Sequence, residues 1–89
     1  MIVLPMIQAT GLRRTLSVQS APGVSVTELS QPISRYGQVG VTTLERIEAL
    51  GGKVEPDPLP GNPFHCLLSG ITAEQACGLF TPTIRNPGR

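Results

Sequence analysis

The chain has 89 residues and a formal net charge of +1, which is the size of one small domain. Hydrophobic residues make up 39% and charged residues 15% of it, a composition that excludes a disordered chain. We expect a cytoplasmic protein with no membrane partner, because no segment has the roughly 20 apolar residues of a spanning helix. The apolar start also lacks the basic residues of a signal peptide.

The N-terminal residues 1–11 allow two interpretations. The apolar run after Met1 favours a strand, whereas Pro5 restricts that strand to an edge or an end of a sheet. The same stretch also fits a poorly ordered leader, since chain termini often lack fixed structure. We therefore expect residues 1–11 to be an edge strand or a disordered leader before a single α+β domain over residues 12–80.

A β-hairpin is predicted across residues 12–29. Its first arm alternates apolar and polar side chains, as a half-buried strand does. Pro22 and Gly23 suit the central positions of a type II turn, and the alternation resumes beyond them. Residues 32–40, which begin with a proline and contain two glycines, are interpreted as a loop.

Two short helices are predicted from their capping boxes. Thr42 and Thr72 are each followed three residues later by Glu or Gln, which is the spacing of a capping box. Apolar residues recur at helical spacing after each of them. The pattern predicts helices near 42–50 and 72–80.

Residues 40–54 and 70–84 resemble one another. Both begin with glycine, a β-branched residue and threonine, and both carry Glu or Gln three residues after the threonine. A duplicated loop–helix–strand unit would explain the similarity. Two helices with the same local cap would explain it equally well, and we favour this local explanation.

Proline dominates the segment between the two helices. Four prolines within residues 56–63 exclude a helix and most ladder hydrogen bonds, so a stiff extended connector or an edge segment is predicted there. Val54 before it and residues 64–69 after it fit strands. The expected fold class is therefore α+β: a small antiparallel sheet with two short helices on one face, and residues 81–89 as a C-terminal tail.

Pro56, Pro58, Leu59 and Pro60 are the candidate partner-binding residues. A preformed proline strip loses little conformational entropy when it docks on a protein, although a rigid spacer would have the same composition. The small size, the low charge and the lack of a catalytic constellation favour a small non-enzymatic protein-binding module. It would be an accessory subunit of a larger bacterial-type assembly, such as a regulatory or defence pair. A protein partner or self-association is expected, and no cofactor.

The loop before the first predicted helix carries the candidate anion-binding residues. Arg35 precedes Gly40, Thr42 and Thr43, where the N-terminus of a helix would present backbone amides to an anion. The loop lacks the dinucleotide and P-loop patterns, so an ordinary strand–helix connection is the alternative. The basic residues are scattered along the sequence, and nucleic acid is not the favoured partner.

His65 is the only histidine and the first candidate for general acid–base chemistry. It would act with Arg35 and Tyr36 in the alternative function, a small metal-independent nuclease or nucleotide-acting enzyme. A lone histidine on a strand more often has a structural role. Cys66 and Cys77 lack the close spacing of zinc ligands, so we expect small buried hydrophobic side chains and no metal site.

Overall fold

The computed structural model describes residues 1–5 and 15–89 of the chain. In this part a six-stranded sheet, antiparallel between all neighbours, lies between α-helices, which confirms the α+β class. No helix in the described ranges has the length and hydrophobicity needed to cross a membrane. The described elements are β1 (Ile2–Pro5), β2 (Thr15–Gln19), α1 (Val26–Ser30), β3 (Gln38–Thr42), α2 (Leu44–Ala49), β4 (Lys53–Pro56), β5 (His65–Ser69), α3 (Ala73–Phe80) and β6 (Ile84–Arg85), with a 3₁₀ turn at Gln31–Ile33.

The strands lie in the order β4-β5-β2-β1-β3-β6. β1 is therefore an interior strand between β2 and β3, and the prediction of an edge strand is wrong for residues 2–5. Pro5 is the last residue of the strand and is the register partner of Val39 in β3. The rest of the predicted leader, residues 6–11, and the start of the predicted hairpin, residues 12–14, lie outside the described residues.

Two β-α-β units cross the sheet in opposite directions. β3-α2-β4 runs from the fifth strand position to the first, and β5-α3-β6 runs from the second to the sixth. At each edge of the sheet, the last strand of one unit therefore lies beside the first strand of the other unit, and β1 and β2 lie at the centre. The similar segments 40–54 and 70–84 fall on these two units. In the similarity between the two segments, Thr72 corresponds to Thr42. The observed helix caps are Thr43 and Thr72, so the two caps are not at equivalent positions.

Threonine caps begin both crossing helices. Thr72 caps α3 as predicted: its hydroxyl accepts a hydrogen bond from the Gln75 N–H at 3.1 Å, and the Gln75 side chain accepts one from the Thr72 N–H at 2.9 Å. α2 is capped by Thr43 and not by the predicted Thr42. Thr42 is the buried last residue of β3, so its side chain does not reach the helix.

Apolar clusters cover both faces of the sheet. α2 and α3 pack on one face, as predicted, and α1 packs on the other with the 3₁₀ turn. Successive strand residues face opposite sides, so Ile2 belongs to the first cluster and Val3 to the second. Of the apolar stripe predicted on α2, only Ile47 is buried. The first cluster consists of Ile2, Val18, Ile47, Cys66, Leu68, Ala76, Leu79 and Phe80, and the second of Val3, Leu29, Ile33 and Val39.

The second arm of the predicted hairpin is the helix α1. The turn at Pro22 and Gly23 is present, and Gly23 has the positive φ of 72° that a type II turn requires. Beyond the turn, the Ser25 hydroxyl accepts a hydrogen bond from the Glu28 N–H at 3.2 Å and starts the helix. The serine and glutamate have the spacing of a capping box, which competes with the strand-like alternation of the same residues. Burial of Leu29 against the sheet then favours the helix.

The loop predicted over residues 32–40 is shorter than expected. A 3₁₀ turn ends at Ile33, and β3 begins at Gln38. β3 contains Val39, Val41 and Thr42, whose β-branched side chains favour a strand. The glycine between the two valines hides this signal in the sequence.

Residues 81–89, predicted as a tail, are part of the fold. β6 pairs with β3, and the following Asn86 is only 3% exposed. The Asn86 side-chain amide donates hydrogen bonds to the Ile33 carbonyl at 3.0 Å and the Tyr36 carbonyl at 2.8 Å. These long-range bonds hold the last residues on the body of the molecule.

Candidate functional site

The predicted partner-binding residues lie together at one edge of the sheet. Pro56 is the last residue of β4, and Pro58, Leu59 and Pro60 belong to the connection to β5. We call this connection, residues 57–64, the proline loop. The four side chains are exposed, and Leu59 is 45% exposed although it is large and apolar.

The tip of the proline loop is a tight turn and not the extended strip that the prolines predict. The Leu59 N–H donates to the Asn62 carbonyl at 3.0 Å, and the Asn62 N–H donates to the Leu59 carbonyl at 2.9 Å. Pro60 and Gly61 occupy the central positions, and Gly61 has a φ of 76°. This is the arrangement of a type II turn, which fixes the direction of the Leu59 side chain.

Asp57 and His65 close the base of the proline loop. The Asp57 N–H donates to the His65 carbonyl at 2.9 Å. In the other direction, His65 Nδ1 lies 2.8 Å from the Asp57 carbonyl oxygen and 3.2 Å from Asp57 Oδ2. A carbonyl oxygen only accepts hydrogen bonds, so Nδ1 carries a proton and donates it. The histidine thus has a structural contact that fastens the start of the loop to β5.

A pair of side-chain amides lies behind the turn. Gln19 Nε2 donates to Asn62 Oδ1 at 2.8 Å, and Asn62 Nδ2 donates back to Gln19 Oε1 at 2.8 Å. Gln19 Nε2 also donates to the Leu29 carbonyl of α1 at 3.0 Å. Gln19 is 1% exposed, its bond to the Leu29 carbonyl is buried, and its two bonds to Asn62 are partly buried, which limits competition by water. They tie the loop to both β2 and α1 and select one loop conformation.

No sequence pattern identifies Gln19 and Asn62 as residues of the site. Gln19 ends a strand pattern that leaves it on the polar side, and Asn62 lies among prolines where asparagine is an ordinary turn residue. Their pairing joins residues 43 positions apart. No local signal in the sequence predicts it.

The predicted catalytic residues are not gathered in one cleft. His65 begins β5, whereas Arg35 and Tyr36 precede β3. β2 and β1 lie between these strands, and three strand spacings of about 4.8 Å correspond to about 14 Å. His65 is also in register with Gln19, and through Val3 with Val41, which lies near the end of β3 opposite to Arg35. The ring therefore contacts Asp57 and not the predicted partners.

The predicted anion-binding residues are also separated. Arg35 lies before the start of β3 and Thr43 after its end, so about 13 Å of strand separates them. Gly40 is covered by Phe80, and Thr42 is 3% exposed. The Thr43 hydroxyl already accepts a hydrogen bond from the Arg46 N–H at 3.3 Å. These positions do not form a common anion site.

The two cysteines occupy different environments. Cys66 is buried, as predicted, and its burial in the apolar cluster raises the pKa of its thiol. Cys77 is exposed on α3, so the expectation of burial is wrong for this residue. Within residues 1–5 and 15–89, no three His, Cys, Asp or Glu side chains are placed to hold a metal ion.

Charged residues surround the proline loop and its edge strand. Lys53 and Glu55 of β4 form an exposed ion pair at 3.0 Å, and the Asp57 side chain is 46% exposed. Lysine, glutamate and proline on an edge strand oppose the addition of a further strand. A partner at this edge is therefore expected to contact side chains of the loop and not the free backbone of β4.

Comparisons with protein-family models, with curated proteins and with solved structures found no match.

Proposed function

We propose that the chain is a small non-enzymatic protein-binding module that recognises its partner through the proline loop. The observation that carries the proposal is an exposed apolar side chain, Leu59, on a turn held by backbone hydrogen bonds and by partly buried side-chain hydrogen bonds. A loop fixed before binding loses less conformational entropy on association than a flexible one. The hydrogen-bonded amides of Gln19 and Asn62 hold the turn that carries Leu59 in one conformation.

The chemistry of the loop indicates the chemistry of the partner. Leu59, flanked by Pro58 and Pro60, presents a compact apolar knob that fits an apolar pocket. Asp57 belongs to the same loop and its side chain is 46% exposed, and Glu55 lies two residues before it in β4. We propose a protein pocket with an apolar floor and a basic rim, because complementary charge at the rim favours correct association.

The biological setting that we propose is an accessory subunit of a larger assembly, such as a regulatory or defence pair of the bacterial type. The small size of the domain and its low charge support a subunit that is partly covered in its working state. The alternative occupant of the loop is a second copy of the same chain.

The test compares two leucines that are almost equally exposed. Leu59 on the loop is 45% exposed, and Leu44 on α2 is 44% exposed. The tagged full chain, Leu59→Asp and Leu44→Asp are purified from the native host and analysed by size-exclusion chromatography with light scattering and mass spectrometry. We expect a stoichiometric protein partner with the unchanged chain and with Leu44→Asp, and its loss with Leu59→Asp.

Retention of the partner by Leu59→Asp would refute the role of the proline loop. Circular dichroism of the three purified proteins is the control for folding: a variant that loses the partner must keep the spectrum of the unchanged chain. A complex of two identical chains that Leu59→Asp dissociates would identify self-association as the occupant.

A further inference from the structure

Three arginines lie on backbone segments that meet at the edge of the sheet formed by β6. Arg85 is the register partner of Gln38 in β3. A Cβ added at Gly37 would lie 3.1 Å from Arg89 Nη1, which places that guanidinium over the start of β3. Arg35 is two residues before Gly37, and all three arginines are exposed. We call Arg35, Arg85 and Arg89 the arginine edge.

Hydrogen bonds of Asn86 hold the arginine edge together. The Asn86 N–H donates to the Gly37 carbonyl at 3.0 Å, and its side chain donates to the Ile33 and Tyr36 carbonyls. Asn86 Oδ1 accepts a hydrogen bond from the Gly88 N–H at 2.8 Å. The backbones that carry the arginines are therefore fixed relative to one another, although Arg35 and Arg85 lie far apart in the sequence.

No Asp or Glu side chain within residues 1–5 and 15–89 forms an ion pair with the arginine edge. In the described part of the chain, Glu55 forms an ion pair with Lys53 and Asp57 contacts His65, and both contacts lie at the β4 and β5 side of the sheet. The Arg35 guanidinium contacts its neighbour Tyr36 instead, at 5.0 Å from the ring centroid. Three exposed positive charges on a fixed backbone produce a local positive potential on a molecule of net charge +1.

We propose that the arginine edge binds the phosphodiester backbone of a nucleic acid, independently of base sequence. A guanidinium presents a planar set of donors that matches phosphate oxygens. The three arginines are arranged around a sheet edge and not around a pocket, so they fit a chain of phosphates better than one isolated anion. Tyr36 is half-buried and already contacted by Arg35, which leaves no aromatic platform for stacking bases at this edge.

The arginine edge and the proline loop lie at opposite ends of the sheet. Five strand spacings separate β4 from β6, which corresponds to about 24 Å. Nucleic-acid binding is therefore a second function and does not depend on the proposed protein partner. Each of the two proposals fails or holds by its own test.

The test measures how salt weakens binding to a fluorescein-labelled oligouridylate of about 20 nucleotides, by fluorescence anisotropy between about 50 and 200 mM salt. Each phosphate contact contributes about −0.7 to the slope of log K against log salt on a single strand. We expect Arg35→Gln, Arg85→Gln and Arg89→Gln each to weaken binding and to make the slope shallower by about 0.7. Arg46→Gln on α2 removes the same charge from another surface and should leave the slope unchanged.

Three outcomes would overturn the proposal. The first is no binding at the lowest salt concentration, and the second is an equal effect of Arg46→Gln, which would indicate net charge alone. The third is competition by polyglutamate as strong as that by the oligonucleotide, which would assign the edge to acidic polypeptides. A duplex of the same length distinguishes the two nucleic-acid forms, because each contact then contributes about −0.9 to the slope.

Discussion

Gly40 lies in β3 where the end of α3 crosses the sheet. A Cβ at this position would overlap the backbone and Cβ of Phe80, so only glycine allows the helix end to approach the strand so closely. Phe80 is 2% exposed and belongs to the larger apolar cluster. The contact therefore sets the distance between α3 and the sheet.

Replacing Gly40 with alanine is expected to destabilise the protein by about 1–3 kcal/mol, because the added methyl group forces α3 or β3 to move. Gly78→Ala is the control, since it adds the same methyl group in the interior of α3 with no atom within 4 Å. That substitution should stabilise the protein by up to about 1 kcal/mol through helix propensity. Urea denaturation followed by circular dichroism measures both changes, and equal stability of the two variants would contradict the close approach.

The contacts of single polar side chains are poorly predicted from the sequence. His65 lies on a strand and contacts Asp57, which belongs to a segment predicted as a rigid connector. Gln19 is polar by composition and yet almost fully buried. Burial of a polar residue depends on a distant partner, here Asn62, and no spacing in the sequence records it.

The proline loop is the element whose conformation matters most for the proposed function. Asn62 links the turn to Gln19, and its removal leaves the buried Gln19 amide with its bond to the Leu29 carbonyl but without the two bonds to Asn62. We expect Asn62→Ala to lower the free energy of unfolding by about 1–3 kcal/mol and to weaken binding of the protein partner, because the turn then samples other conformations.

Asn86→Ala is the matched control for this prediction. It removes a buried asparagine whose side chain donates to two backbone carbonyls, and it lies beside β6. A similar loss of stability is expected in thermal denaturation, without a change in affinity for the protein partner. Partner binding that is unaffected by Asn62→Ala at a temperature where the variant is folded would argue against preorganisation of the loop.

Elements with complete local signals are predicted best. α3 has a capping box and a buried stripe that agree, and β5 has a continuous apolar run, so both are found close to their observed bounds. The prediction of a strand over the residues of α1 is wrong because these residues carry both an alternating apolar pattern and a serine cap. The cap determines the observed structure, which is a helix. β6 has only two residues and lies between Pro82 and Pro87, so its own sequence does not predict a strand. Pairing with β3 forms it.

At the scale of the whole molecule, the sheet separates two surfaces of opposite character. Its β4 edge carries an apolar knob beside carboxylates, and its β6 edge carries arginines without carboxylate partners in the described residues. The molecule measures only 28 × 22 × 22 Å, yet the two surfaces are about 24 Å apart because they lie at opposite edges.

The separation predicts that the two surfaces act independently. Leu59→Asp should leave the affinity for the oligonucleotide unchanged, and Arg85→Gln should leave the affinity for the protein partner unchanged, since substitutions this far apart rarely couple. Anisotropy and co-purification of the same two variants measure both effects. A change in oligonucleotide affinity for Leu59→Asp would show that the surfaces are coupled or overlap.

The strand order is the property that the sequence predicts least. The sheet pairs β1 with β3 and β2 with β5, so most of its neighbours are distant in the chain. The two crossing units bring Arg35 to the same edge as Arg85 and Arg89, which in the sequence appear merely as scattered basic residues. Local patterning predicts the class of fold, whereas the placement of the surfaces depends on these long-range pairings.

Site-specific photo-cross-linking at position 59 tests the central claim most directly. A benzophenone amino acid replaces Leu59 in the full chain, or Leu44 as the equally exposed control, and cells are irradiated before the adducts are identified by mass spectrometry. The proposed function predicts one discrete protein adduct from position 59 and none from position 44. The same adducts from both positions, or none from position 59, would contradict recognition through the proline loop.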